Sequence, residues 1–230
     1  MGADEGEPAE RLLIDGLTLA PDVPPIHDKV RAGEIVGLAG LEGHGQEPFL
    51  EALCGLRSPL SGRLMVEAHG RWVAIASFRQ AVRCGVAYLA RDRRANGIFP
   101  SLSLLDNFAL VSMDRDRSFG LIDRRKQRAR YETYQRRLSI VAPSPGRAIT
   151  TLSGGNQQKV LLARWLALEP RVLLLNDPTG ASTSAPARRS TRCSAISRAT
   201  RAWLWWCCRP RSRSSCASAS ACWSSASSTS

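Results

Sequence analysis

The sequence predicts an α/β protein built around a parallel sheet, and three stretches carry this prediction. Residues 32–56 have the pattern of a strand, a glycine-rich turn and a helix. Residues 152–168 have apolar residues at helical spacing, starting after Ser153. Residues 171–177, RVLLLND, form the continuous apolar run that is typical of a parallel strand buried on both faces. Strands that alternate with helices favour α/β layers.

The remaining elements are predicted in order along the chain. They are an edge strand in 11–21 that ends at a proline, a strand pair in 62–77, a helix, strand and loop in 78–94, and a mostly helical stretch over 104–140. Within the last stretch, the charged residues 123–137 predict a solvated helix face. Residues 1–10 are acidic and polar, so we expect disorder there and neither a signal nor a transit peptide. No apolar run approaches the roughly 18 residues of a membrane span, which predicts a cytosolic protein.

The basic charge is concentrated in residues 180–230. The net charge is +12, and this tail holds eight arginines, no lysine and no acidic residue. It also holds five of the seven cysteines and four of the six tryptophans. The charge therefore does not indicate a nucleic-acid partner for the rest of the chain, and none is expected. Cys54 and Cys84 have apolar neighbours and predict reduced, buried thiols, and no cysteine or histidine spacing indicates zinc.

The glycine-rich turn has the outline of a phosphate-binding loop. The pattern G-x-x-x-x-G-K-[ST] supplies backbone amides, a lysine for the phosphates and a hydroxyl for Mg²⁺. The candidate nucleotide-binding residues here are Gly40, Gly43, His44, Gly45, Gln46 and Glu47. Gln46 stands where the lysine is expected, and Glu47 stands where the hydroxyl is expected. Taken alone, the turn fits an ordinary strand–turn–helix connection equally well.

The presence of glutamate at position 47, in place of a hydroxyl residue, predicts weak ATP binding if its carboxylate faces the ligand. Like charges about 4 Å apart cost on the order of 4 kcal/mol at a surface-like dielectric. Micromolar binding is worth only about 8 kcal/mol in total. A glutamate at this position would therefore remove a large share of the affinity.

The stretch LSGGNQQKV (152–160) is more specific and resembles the signature sequence of ATP-binding cassette (ABC) ATPases. The resemblance implies a P-loop NTPase fold with a helical signature subdomain at about 104–168. It also implies a role for Ser153, Gly154, Gly155 and Gln157. Ser153 would cap a helix whose amides face the γ-phosphate of ATP held by the opposing cassette of a head-to-tail dimer.

The end of the last predicted strand departs from the family pattern. The usual strand end is Asp-Glu-Pro-Thr, in which Asp serves Mg²⁺ and Glu activates water. Asn176 and Asp177 take those places here. Asn176 is therefore a weak Mg²⁺ candidate, and Asp177 is a catalytic candidate whose carboxylate is one methylene shorter.

The resemblance covers residues 11–179 and extends to a subfamily. AGEIVGLAGLEGHGQ (32–46) and GVAYLARDRRANGIFPSLSLLDNF (85–108) look like the second cassette of tandem ATPases in monosaccharide importers. The family's usual Pro-Glu-Asp-Arg appears here as Ala90-Arg91-Asp92-Arg93. Arg91 thus replaces an acidic residue in the loop expected to sense the membrane subunit.

The resemblance implies the ATP-binding subunit of a sugar importer, with ATP and Mg²⁺ as cofactors, a degenerate site of its own and a signature that acts in trans. The implied partners are a second cassette, a membrane permease and, indirectly, a sugar-binding protein, at the inner face of the cell membrane. ATP hydrolysis by this chain alone is expected to be weak or absent. Two alternatives stay open: a non-catalytic nucleotide-binding or regulatory interaction domain, and an ABC-type DNA-repair ATPase.

The sequence changes character after Thr179. With suitable third bases, Thr179 to Pro186 can be re-read one base out of frame as Arg-Gly-Val-Asp-Val-Gly-Ala, which resembles the family's continuation. The segment 203–208 re-reads as Ala-Val-Val-Val-Leu, a buried strand. We therefore interpret residues 180–230 as an aberrant, frameshifted tail, with 209–230 disordered. The native core strand is then lost, although LWWCC (204–208) can still enter the sheet as a strand with unsuited side chains. A functional Arg/Ser-rich nucleic-acid tail is the competing interpretation.

Overall fold

The computed structural model describes residues 9–39, 44–92, 97–118, 120–176, 203–208 and 222–223, and for Ala39 and the last two segments only the backbone. The elements are β1 (Glu10–Thr18), β2 (Ile26–Arg31), β3 (Ile35–Ala39), α1 (Gln46–Leu53), β4 (Ser61–Ala68), β5 (Arg71–Ala74), α2 (Phe78–Arg83), β6 (Val86–Leu89), α3 (Leu104–Ala109), β7 (Arg117–Ser118), β8 (Leu121–Ile122), α4 (Arg124–Arg137), α5 (Gly154–Leu166), β9 (Val172–Asn176), β10 (Trp203–Cys208) and β11 (Cys222–Trp223). The α/β class is confirmed. Residues 1–10 were predicted to be disordered. Of these, residues 1–8 lie outside the described residues, as does most of the tail, whereas Glu10 already belongs to β1.

The chain divides into two compact units. The first contains the described residues up to Ala87, strand β9 and the tail strands, and the second contains the described residues from Tyr88 to Pro170. The first unit holds a four-stranded antiparallel sheet in the order β2-β1-β4-β5. A second sheet has the order β11-β3-β10-β9-β6.

The antiparallel sheet corrects one prediction and adds a strand. Strand β1 pairs with β2 on one side and with β4 on the other, so the prediction of an edge strand was wrong. Strand β2 was not predicted, because four of its six residues are polar and only Ile26 and Val30 are buried. The predicted strand pair is confirmed as β4 and β5, joined by His69 and Gly70 at φ 55° and 77°. Positive φ at both loop residues is what a tight type I′ hairpin requires.

Strand β9 confirms the predicted buried strand, since all five of its residues are buried. Strand β10 runs parallel to β9 from Trp203 opposite Val172 to Cys207 opposite Asn176. On its other side β10 pairs in parallel with β3. The segment WLWWCC therefore occupies the slot in the sheet where the sequence analysis expected the native strand to be missing.

A carboxylate joins three strands of the first unit. Glu67 on β4 pairs with Arg11 on β1 and accepts a hydrogen bond of 2.8 Å from Arg171 Nη1, just before β9. Glu67 also accepts from the backbone nitrogen of Gly70, and this bond is the largest contribution to a lowered pKa for the carboxyl. The ionised form of Glu67 thus ties the hairpin to the start of β9.

Helix α2 and strand β6 confirm the helix and the strand that were predicted within 78–94. The stretch 104–140 is mostly helical as predicted, with α3, α4 and a short 3₁₀ helix, but it also contains the unpredicted hairpin of β7 and β8. Helix α4 is only partly the predicted solvated face, because Gln127, Tyr131 and Tyr134 are buried.

Cys54 and Cys84 are free and buried as predicted, and burial raises the pKa of Cys54 to about 12.

An aromatic cluster and a buried cation organise the second unit. Phe108 on α3 lies edge-on to Tyr131 at 5.5 Å between ring centroids and 6.1 Å from Tyr134, both on α4. Arg164 on α5 is 4% exposed, and burial lowers its pKa to about 10. Its guanidinium donates to the backbone oxygen of Asn107, to Asn107 Oδ1 and to the backbone oxygen of Gly97, at 2.6, 3.1 and 2.7 Å.

Two glycines with the same backbone conformation predict different costs of substitution. Gly62 has φ +79°, and a Cβ there would lie 2.1 Å from the backbone oxygen of Gly16. Gly70 has φ +77°, and a Cβ there would meet nothing within 4 Å. We expect Gly70→Ala to lose about 1 kcal/mol of unfolding free energy from backbone strain alone, and Gly62→Ala to lose roughly 2 kcal/mol more. Urea unfolding of both variants measures the difference, and equal losses would contradict the close approach of β1 and β4.

Two buried tyrosines predict opposite responses to removal of the hydroxyl. Tyr134 Oη donates to the backbone oxygen of Leu166 at 2.8 Å, whereas Tyr131 Oη is buried and has no hydrogen-bond partner among the described residues. Tyr134→Phe should therefore cost about 1 kcal/mol, and Tyr131→Phe should be neutral or stabilising. Thermal unfolding of the two variants compares them directly. A larger loss for Tyr131→Phe would contradict the assignment.

Candidate functional site

The five α-helices of the described residues fall into two classes by how they begin. Ser77, Ser103 and Asp123 precede α2, α3 and α4, and each side chain accepts a hydrogen bond from a first-turn amide of its helix. Helices α1 and α5 begin after Gly45 and Ser153, and neither residue gives its helix a side-chain cap. These two starts are the ones that the sequence analysis assigned to phosphate binding. In general, a helix start without such a cap presents first-turn amides that point away from the helix.

The start of α1 carries the described part of the predicted nucleotide loop. Gly45 is left-handed at φ 91°, and its carbonyl accepts a hydrogen bond from Phe49 N at 2.9 Å. Gln46 and Glu47 form the first turn, with Gln46 half-buried and Glu47 exposed, and His44 is exposed just before it. Gly40 and Gly43 lie outside the described residues, so the rest of the predicted cradle stays a prediction.

A hydrogen bond joins the two substituted positions of the site within the first unit. Asn176, the last residue of β9, is 2% exposed, and its Nδ2 donates to Glu47 Oε1 at 3.0 Å. The buried strand thus delivers a polar side chain to the start of α1. Asp177, the catalytic candidate, lies outside the described residues.

This donor set does not fit a divalent cation between Glu47 and Asn176. Mg²⁺ takes oxygen ligands, and in the observed arrangement the amide nitrogen of Asn176, not its oxygen, meets the carboxylate of Glu47. Within the described segments, no group of three or more His, Cys, Asp or Glu residues gathers into a possible metal site. The pair is satisfied as a hydrogen bond rather than as a metal site.

The signature stretch forms the start of α5 in the second unit, with one correction. Ser153 is at the N-cap position as predicted, but its hydroxyl does not bond the helix backbone. Instead, Ser153 Oγ accepts a hydrogen bond from Asn156 Nδ2 at 3.1 Å. Asn156 Oδ1 in turn accepts from the backbone nitrogen of Val141 at 3.0 Å. Asparagine offers a donor and an acceptor on one side chain, so it can bridge these groups, and the sequence analysis missed this role.

The other signature residues differ in exposure and in hydrogen bonding. Gly154 is half-buried, and Gly155 is exposed, with open space where a Cβ would stand. Gln157 Nε2 donates to the backbone oxygens of Leu152 and Ile149 at 3.0 and 3.4 Å. Gln157 therefore holds the preceding loop of its own unit.

Arg164 is a second residue that sequence reasoning missed. It is a lone cation inside the apolar run LLARWLAL, and that position was the available signal. By bonding Gly97 and Asn107, it connects the signature helix α5 to α3 and to the loop that follows residues 93–96. Arg91 and Asp92 of the predicted sensing loop are exposed, and Arg93 lies outside the described residues.

None of the helices in the described segments has the length and apolar character needed to cross a membrane.

Comparison with known sequences supplies relatives for this chain. The ABC transporter family matches residues 24–180. The ribose import ATP-binding protein RbsA of Yersinia pestis is 40% identical over 169 residues, which cover 74% of this chain and 33% of that protein. A putative ribose/galactose/methyl galactoside import ATP-binding protein of Agrobacterium fabrum is 44% identical over 166 residues, with shares of 72% and 33%. The chain spans about a third of the length of these curated relatives.

Solved structures agree with the fold. CbiO1 from Clostridium perfringens, described as part of the ABC transporter complex cbiONQ, superposes with a TM-score of 0.68 at 18% identity and covers 88% of this chain and 79% of its own. The ATP-binding cassette MJ0796, solved as a dimer bound to ADP and Pi, gives 0.68 at 17% identity, with shares of 85% and 87%. The resemblance drawn from the signature and the strand pattern is therefore confirmed, and the chain belongs to the ABC transporter family.

Proposed function

We propose that this chain is the ATP-binding subunit of a sugar importer, with a weakened nucleotide site of its own and a signature that serves ATP held by a second cassette. The observation that carries this proposal is the contrast between the two helix starts. The start of α5 is uncapped and has open space at Gly155, whereas in the first turn of α1 the carboxylate of Glu47 is held by Asn176. The import ATP-binding proteins among the relatives support the sugar class.

Gly155 supports the role of the signature in trans. A glycine inside a helix costs roughly 0.5–1 kcal/mol relative to alanine. Neither backbone conformation nor packing among the described residues requires a glycine there, because its φ is not positive and a Cβ would meet open space. A group that approaches the helix start from another chain would explain why the position lacks a side chain.

The chemistry that we assign to this chain is phosphate recognition. When ATP is bound by the partner cassette, the first-turn amides of Gly154 and Gly155 and the hydroxyl of Ser153 would donate to its terminal phosphate. The bond from Asn156 orients that hydroxyl. ATP held between the two cassettes in this way would close the dimer, and closure would drive the permease.

The weakness of the chain's own site rests on charge. Glu47 places a carboxylate in the first turn of α1, and Gln46 brings no cation to offset it. Repulsion of about 4 kcal/mol at 4 Å is half of what micromolar ATP binding provides. Asp177 is retained in this proposal as the water-orienting residue of a site that turns over slowly.

We propose three partners at the cytoplasmic face of the membrane. These are a second cassette that holds ATP, a permease that is contacted near Ala90–Arg93, and a sugar-binding protein that reaches the complex through the permease. Co-purification of a permease supports this assembly. Binding to DNA with a steep salt dependence would instead support the DNA-repair alternative.

We also propose that the reading frame changes near Thr179. Strand β10 supports this proposal, because its place between β3 and β9 is where the re-read segment Ala-Val-Val-Val-Leu would form a buried strand. The test is to sequence DNA and transcript across codon 179 and to measure the intact mass of the purified protein. A frame change near Thr179 could lie in the gene or arise from a sequencing error. A single uninterrupted frame in both nucleic acids, together with the mass of the 230-residue chain, would exclude the sequencing error.

The signature proposal predicts a trade between stability and activity at Gly155. Gly155→Ala should raise the unfolding free energy by about 0.5–1 kcal/mol, because alanine is the better helix former. The same change should lower ATP turnover about tenfold or more when the chain is mixed with an intact related cassette, because the methyl group obstructs the phosphate. Urea unfolding and phosphate release measure the two effects. Gly146→Ala, in a loop of the same unit, is the matched control and should leave turnover unchanged.

Ser153→Arg tests the same site by bulk. The variant should abolish the turnover that this chain adds to the mixture, whereas Thr150→Arg, an exposed change just before the signature, should not. If Ser153→Arg and Gly155→Ala both leave the turnover of the mixture unchanged, the role in trans is wrong.

A further inference from the structure

We propose that Glu47 and Asn176 act as one exchanged pair in which the chain's own carboxylate takes the place of the nucleotide phosphates at the start of α1. This inference deepens the proposed function, since it rests on the start of α1 being the phosphate end of the weakened site. It adds the cause of that weakness. It also predicts which change removes the weakness: neither substitution alone should restore the site fully, whereas the two together should.

The geometry makes the pair a fixed contact rather than two independent substitutions. Asn176 is buried at the end of a strand that is buried throughout, so its side chain cannot move far. Glu47 is exposed and could extend into solvent, yet its Oε1 is 3.0 Å from Asn176 Nδ2. The buried amide therefore selects one position of an otherwise free carboxylate, and it holds that position in the first turn of α1.

The charges explain why the two changes belong together. The family pattern has a hydroxyl at position 47 and a carboxylate at 176, and this chain has a carboxylate at 47 and a neutral amide at 176. The pair carries one negative charge in either arrangement. The charge has moved from the strand, where it would hold a cation, to the helix start, where an anion is favoured. The carboxylate thus uses the favourable end of α1 that a phosphate would otherwise use.

This arrangement predicts how the single changes differ. Asn176→Asp would place a second carboxylate, with no amide donor, against Glu47 in a buried setting, so it should destabilise the chain and restore no binding. Glu47→Ser removes the competing anion but leaves Asn176 without the acceptor it now has, so it should restore binding in part. Combining the two changes returns a hydroxyl beside a carboxylate and should restore binding that depends on Mg²⁺.

The experiment measures fluorescent ATP binding to the full 230-residue chain, with and without Mg²⁺, for the wild type, Glu47→Ser, Asn176→Asp and the double variant. We expect no saturation below millimolar ATP for the wild type and for Asn176→Asp. We expect a gain of about tenfold for Glu47→Ser, and a further gain of about tenfold, only with Mg²⁺, for the double variant. The midpoint of thermal unfolding should fall by about 5 °C or more in Asn176→Asp and should recover in the double variant.

Two controls separate the pair from general effects of charge. Glu51→Ser removes a negative charge from the same helix, where the carboxylate bonds Arg57 instead of Asn176, and should leave ATP binding unchanged. Glu47→Gln keeps the size of the side chain and removes its charge, so it should gain about as much as Glu47→Ser. If Glu51→Ser gains as much as Glu47→Ser, the effect is general electrostatics and the exchanged pair is wrong.

The outcomes distinguish this inference from the proposed function. Micromolar ATP binding by the wild type would overturn both the weakened site and the pair. A wild type that binds no ATP, with no gain in any variant, would overturn the pair and leave the weakened site standing. Gains that are simply additive, with no recovery of thermal stability in the double variant, would overturn the coupling between Glu47 and Asn176.

Discussion

The complete burial of strand β9 is the constraint on which the first unit depends. A buried strand must have its amides and carbonyls bonded on both sides, and the sheet order places β10 and β6 beside it. Four apolar residues occupy β9, and the only polar residue in it is the last, Asn176. The apolar run that sets the centre of the sheet therefore also brings one polar side chain to its carboxyl end, where open α/β sheets place their ligands. The contact with Glu47 is a direct result.

Helix starts connect the architecture to the chemistry. A side-chain cap is worth about 1 kcal/mol, and α2, α3 and α4 each have one. Helices α1 and α5 forgo that stabilisation, and α5 carries an exposed glycine as well. In the second unit the buried guanidinium of Arg164 bonds three backbone or amide oxygens, and so fixes α5 against α3 at a point remote from its exposed start. A helix held firmly in its interior can leave its first turn open.

The sequence alone predicted the features that local pattern controls. The apolar run of β9, the hairpin of β4 and β5 and the position of α5 follow from periodicity and turn residues. The place of β1 inside its sheet could not be predicted in this way, because it depends on strands β2 and β4 pairing from both sides. The bond between Glu47 and Asn176 joins residues 129 positions apart, so only the fold could reveal it. The hydroxyl of Ser153 was assigned to the wrong partner, because a backbone amide and a nearby asparagine are both within reach of a serine.

Strand β10 shows that the backbone pairing of a sheet depends less on side-chain identity than the chemistry of a site does. Its pairing with β3 and β9 is made by main-chain atoms, which every residue except proline supplies alike. A segment of quite different side chains can therefore occupy the same slot with the ladder intact. The residues that bind phosphate or move a proton have no comparable redundancy, since each requires one functional group at one place. Mutational drift in such a cassette would thus be expected to erase its catalytic ability long before its architecture, leaving folded relatives that survive as partners rather than as enzymes.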